Sequence, residues 1–169
     1  MTKTKICGFL AIFLIANVAC NTLAQDSKGS FRIKMSEMVN GVHPDFPWFS
    51  YTYCPGFVED EYLELIDYTF EEVPTAGKGQ WVTWTFFSKT SVFIDSASMT
   101  VTWSGIPFFS GSGDIKEYYE AGTTFTRREY AYLKIAPAGN YKINANVFNE
   151  MGSEIVCVNA NIYVRPAKN

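Results

Sequence analysis

From Trp48 onward, apolar and polar positions alternate in short runs separated by glycine- and proline-rich turns. A period of two marks strands with one buried and one solvated face, and a succession of them predicts a sandwich or barrel. The first run is Trp48 to Cys54. The second, Tyr62 to Val73, changes phase between Leu65 and Ile66, which predicts a bulge. Gln80 to Ser88 places Val82, Trp84 and Phe86 on one face, and Ser98 to Ser104 does the same for Met99, Val101 and Trp103. Thr123 to Ile135 is a strand of mixed phase. Tyr141 to Val147 sets Tyr141, Ile143, Ala145 and Val147 against Lys142, Asn144 and Asn146, and Glu154 to Val164 closes the series. Between these runs, Gly105 to Gly113 reads as a loop exposing Phe108 and Phe109. Asp114 to Glu120 is a short helix candidate within a loop.

The part before Trp48 is different. Two lysines precede an apolar stretch from Ile6 to Ala19, the form of a signal peptide; Thr22 and Ala24 supply small residues for cleavage after Ala24. Asn17-Val18-Ala19-Cys20 leaves a lipoprotein reading open. Residues 25–47 are polar and broken by Gly29, Gly41, Pro44 and Pro47, so they read as a loose lead with a short strand near Phe31 to Met35. The expected organisation is a leader at 1–24, a lead at 25–47 and one domain at 48–165, secreted or in a lysosomal or endosomal lumen.

Composition narrows the function. The net charge is −3, and removing Lys3 and Lys5 with the leader takes it to −5. That balance excludes a nucleic-acid partner and a polybasic membrane patch. Aromatic content is 17%, which must fill a core or line an apolar pocket. Past the leader, Cys54 and Cys157 form an even pair, and in an oxidising compartment such a pair forms one bridge. By strand parity, both cysteines lie on the polar side of their strands, so the bridge should tie the first and last strands from outside the core.

Taken in order, Phe49-Ser50-Tyr51-Thr52-Tyr53-Cys54, Gly105-Ile106-Pro107, Tyr119-Glu120-Ala121-Gly122-Thr123, Gly139-Asn140-Tyr141-Lys142-Ile143, Asn149-Glu150-Met151-Gly152 and Cys157 form a pattern. It resembles the ML, or lipid-recognition, domain family, nearest to its ganglioside activator branch, over Trp48 to Val164. The resemblance implies an all-β, immunoglobulin-like β-sandwich of about seven antiparallel strands. It implies an apolar cavity between the sheets for an acyl chain, glycolipid, phospholipid or sterol, and a bridge between the first and last cysteines. Its partners would be a lipid ligand, a transient membrane surface and a lipid hydrolase or receptor. The chain lacks the family's middle cysteines, which leaves the loop Ser110 to Tyr119 unpinned.

The residues offer little for catalysis, so no enzyme activity, cofactor or metal is expected. His43 is the single histidine, which rules out a catalytic triad or multi-histidine metal site within the chain; it reads as a solvated loop residue. Glu59-Asp60-Glu61 and Glu71-Glu72 read as solvated turns, and Arg127-Arg128 as a solvated strand face. The candidate ligand-binding residues are therefore aromatic and aliphatic. Trp84, Phe86, Trp103, Phe125, Ile143 and Val147 lie on inward faces, and Phe108, Phe109, Tyr118 and Tyr119 lie in loops as rim residues. Two alternatives share the strand pattern: an interaction module with a filled core, and a carbohydrate binder, which needs a planar row of exposed rings.

Overall fold

The computed structural model describes residues 31–57, 62–133 and 136–167. The leader and the acidic run Glu59 to Glu61 lie outside them. Ten strands are named in chain order: β1 (Phe31–Lys34), β2 (Val42–His43), β3 (Phe46–Tyr53), β4 (Leu63–Phe70), β5 (Gly79–Ser88), β6 (Val92–Trp103), β7 (Ile106–Tyr119), β8 (Thr124–Tyr132), β9 (Gly139–Asn149) and β10 (Glu154–Val164). They pair antiparallel in two sheets, a four-stranded sheet β1-β4-β5-β8 and a six-stranded sheet β2-β3-β10-β9-β6-β7. The expected antiparallel β-sandwich is the architecture found.

Alternation explains the core. Cross-strand partners share a face, so the registers Val101↔Ile143 and Ile143↔Ala160 place one apolar layer on the six-stranded sheet. Trp84↔Tyr68 and Phe86↔Leu65 build the opposing layer on the four-stranded sheet. The predicted phase change in the second run is a register shift between Leu65 and Asp67. It keeps Leu63, Leu65, Tyr68 and Phe70 all buried, where strict alternation would turn half of them out.

Three expectations change. Residues from Phe31 belong to the sandwich rather than to a loose lead: β1 pairs with β4, and Ile33 is fully buried. The segment expected as a loop and short helix, Gly105 to Glu120, forms most of β7, the edge of the six-stranded sheet. Ser104 and Gly105 both have positive φ, the conformation of a two-residue hairpin turn, and this turn pairs β6 with β7. His43 is not solvated but 3% exposed. Its Nδ1 accepts from the Asp45 amide at 3.2 Å, its Nε2 faces the Glu37 carboxylate at 3.3 Å, and its ring lies 4.6 Å from that of Phe46. That environment makes it a clasp for the β2–β3 turn.

Cys54 and Cys157 are joined as a disulfide, with Cα atoms 5.4 Å apart, next to the β3–β10 pairing. As parity predicted, the bridge sits among polar side chains: Asn144 Nδ2 donates to Cys54 Sγ at 3.3 Å and to Asn159 Oδ1 at 3.3 Å. Gly139 shows why the glycine-tyrosine pattern is needed. With φ of +139°, it lies where an added Cβ would come within 2.7 Å of Trp103 Nε1. That indole donates to the Ala138 carbonyl, and the buried Tyr141 hydroxyl donates to the Pro137 carbonyl.

Candidate functional site

The interior between the sheets has two unlike walls. The four-stranded sheet contributes rings, Tyr68, Phe70, Trp84 and Phe86; the six-stranded sheet contributes small and aliphatic side chains such as Ile143, Ala145, Val158 and Ala160. Flat rings against short side chains leave gaps. A cavity of about 60 Å³ lies between Tyr68, Trp84, Glu129, Leu133, Ile143 and Val164, among others. A second void of about 20 Å³ lies between Phe86, Val147 and Val156. Both touch Tyr68, Trp84, Ala145 and Val158, so these four side chains alone are common to the two voids. Together the voids follow the inner face of β9 from Tyr141 to Val147, roughly 20 Å at the rise of a strand. Glu129, Tyr130 and Ala131 are half-exposed lining residues on β8, an edge strand, so the larger cavity approaches solvent along β8.

Of the residues expected at a ligand site, Trp84, Phe86, Ile143 and Val147 line these voids. Phe125 stacks on Phe86 at 5.4 Å, and Tyr119 stacks on Phe125 at 3.7 Å, so three rings bridge the two sheets. Trp103 packs over Gly139. Phe108 and Phe109 are half-buried strand residues, not water-facing loop residues. Phe108 meets the Tyr141 ring edge-on at 5.5 Å, and the Phe109 ring covers Gly111. A register shift between Val101 and Thr102 lets both pack although they are consecutive. Tyr118 is 60% exposed on the outer side.

Two polar features were not expected. Arg127 is not on a solvated face: it pairs with Trp84 across the strands and so points inward. It donates to Glu117 and, at 2.9 Å, to the Tyr119 hydroxyl, while that hydroxyl donates to Glu117. Burial, and then the bond to Glu117, push the Tyr119 phenol up to about 12. This cluster ties β8 to β7 at the edge of the sandwich. Its neighbour Glu129 also points inward, opposite Val82. Burial pushes its carboxyl up to about 8, against a small opposing pull from Arg127. Half-exposed Glu129 makes no hydrogen bond or ion pair among the described residues, and Trp84 Nε1–H is fully buried with no partner there.

The outer face of the four-stranded sheet carries Trp81 and Tyr130, but their planes are 68° apart, and the Arg128 guanidinium covers Trp81 at 4.7 Å. This pair is not a planar platform for sugar rings.

No family model and no curated protein matches the chain. Among solved structures, the fold is similar to the C-terminal domain of wzt, at 10% identity over 80% of this chain and 86% of that one, with a TM-score of 0.53. It is also similar to chicken MD-1 complexed with lipid IVa, at 14% identity over 69% and 88%, and to a Niemann-Pick type C2 protein from Japanese carpenter ant, at 15% over 68% and 99%. Both of these have TM-scores of 0.49. Likeness at this level speaks of fold alone.

Proposed function

We propose that the chain is a secreted, non-enzymatic lipid-binding protein of the ML type, with a leader at residues 1–24 and a binding domain that runs from β1 to β10. The observation that carries this reading is the pair of aligned apolar voids between an aromatic wall and a small-residue wall. The sequence resemblance and the Cys54–Cys157 bridge, which suits an oxidising compartment, support it. Trp84, Phe86, Ile143 and Val147 contact the ligand. Trp103, Phe108, Phe109, Tyr119 and Phe125 frame the cavity, and Tyr118 marks its outer margin.

The mechanism is physical. Apolar ligand surface leaves water for the cavity, contributing about 0.8 kcal/mol per buried methylene. At about 60 Å³ the larger void is well below the ~300–1,000 Å³ of ordinary ligand pockets, so uptake requires the sheets to part. The same small volume favours one other reading, an interaction module with a nearly filled core.

Native mass spectrometry of the secreted protein, followed by denaturing lipid extraction, separates the two. Near-stoichiometric lipid, co-purified or acquired from mixed liposomes, is the expected result. A clean apo mass with no uptake would overturn the lipid reading in favour of the module.

A further inference from the structure

Trp84 and Glu129 stand out because each brings a hydrogen-bonding group without a partner among the described residues to the cavity, whereas the polar lining residues Gln80 and Tyr141 are engaged by the Glu72 amide and the Pro137 carbonyl. Buried polar groups in native proteins are nearly always paired, and Trp84 Nε1–H is buried without a partner; Glu129 is half-exposed, with no hydrogen bond or ion pair among the described residues. Both side chains line the same cavity. The registers Trp84↔Arg127 and Val82↔Glu129 make them diagonal neighbours on one face of adjacent strands, with Cβ atoms roughly 7–8 Å apart. One oxygen bonded to both groups spans about 5.6 Å at ordinary hydrogen-bond lengths, which both side chains can reach. The nearby cation, Arg127, is already engaged by Glu117 and Tyr119.

We infer that Trp84 and Glu129 form a hydrogen-bonding site for a lipid hydroxyl held inside the sandwich, so that the preferred ligand is a neutral long-chain alcohol rather than a lipid bound by its hydrocarbon alone. A hydroxyl fits both partners: its oxygen accepts from Trp84 Nε1–H, and its hydrogen is donated to a Glu129 carboxyl oxygen. A hydrocarbon leaves both groups unpaired. This inference rests on the lipid-binding reading and adds to it where the ligand's polar group sits.

The test equilibrates the protein with phosphatidylcholine vesicles containing equal mole fractions of 1-hexadecanol and hexadecane, and reads bound species by native mass spectrometry. The wild type should take the alcohol at least about tenfold more readily than the alkane. Trp84→Phe and Glu129→Leu should each bring that ratio close to one, whereas Glu129→Gln, which keeps a donor and an acceptor, should preserve most of it. The ratio is measured within each variant, so altered cavity size affects both probes. If Glu129→Leu does not fold, Trp84→Phe carries the test. A wild-type ratio near one, a ratio unchanged by Trp84→Phe, or capture of phosphatidylcholine alone overturns the hydroxyl site while leaving lipid binding standing. Uptake of none of the three overturns both.

Discussion

Glu129→Gln isolates the energetic cost of placing a carboxyl in the cavity wall. Burial raises the group from 4.5 to about 8 in the folded protein. Between those pH values the unfolded chain has released this proton and the folded chain retains it. Stability therefore falls as pH rises through that window, with the cost absent below about pH 4.5 and complete above about pH 8. At about 1.4 kcal/mol per pH unit, the whole interval corresponds to roughly 5 kcal/mol. Glu129 is half-exposed beside the solvent approach along β8, and screening there reduces the figure to about 2 kcal/mol. The glutamine of the variant has nearly the same volume and no charge to lose. The groups facing this position are Arg127, Glu117, Tyr119, Tyr68 and Tyr141; they are present in both proteins and cancel in the difference. Urea unfolding at pH 5, 7 and 9 should give matching stabilities at pH 5 and a variant about 2 kcal/mol more stable at pH 9, where its melting temperature rises by several degrees. Parallel stability curves from pH 5 to 9 would refute the placement of this carboxyl in an apolar wall.

Two further outcomes test the frame. Replacing both Cys54 and Cys157 by serine opens a loop with a separation of 103 residues and should cost about 4.7 kcal/mol in the chain-entropy model, read as a lower urea midpoint; a loss below about 1 kcal/mol would remove the bridge from the account of stability. Arg32→Ala removes the 2.7 Å partner of Asp67, a carboxylate only 2% exposed; it should cost about 2–3 kcal/mol and speed amide exchange in β1, whereas unchanged protection there would show that the pair does not hold that strand.

Most of the strands, the bulge near Ile66 and the side on which the disulfide lies were legible because each follows from counting by two. β7 was not, because its composition imitates a loop. Gly111 stands on an inward position and looks like a flexible hinge, but the Phe109 ring occupies the space its side chain would take. Lys116 adds a positive φ of 56°, and the register with β6 shifts between Ile94 and Ser96, so no single alternation runs through the strand. Glu129 was hidden differently. Arg127-Arg128 reads as a solvated strand face and Glu129 is passed over, yet Phe125 reads as inward, and alternation from Phe125 carries Arg127 and Glu129 to the same face. Parity contained the polar residues of the cavity; the habit of placing charges outside concealed them.

The same contacts indicate which side of the sandwich would part in the proposed lipid uptake. On the β1 side the sheets are joined by interlocked rings: Trp48 with Phe70 at 5.1 Å, Phe49 with Tyr68 at 5.2 Å, and Phe49 with Phe70 at 5.8 Å. Separating them exposes large apolar surfaces at once. On the opposite side, β7 and β8 are edge strands of different sheets, with no backbone pairing between them. There the join consists of the Glu117–Arg127–Tyr119 cluster and the Tyr119–Phe125 stack. One ring stack crosses here against three ring contacts on the β1 side, and water can replace the hydrogen bonds of the charged cluster far more readily than it can solvate a ring face, so this side is the cheaper one to part. In the proposed lipid uptake, the aromatic side would act as the hinge, and a ligand entering along β8 would pass Glu129 before it reached Trp84.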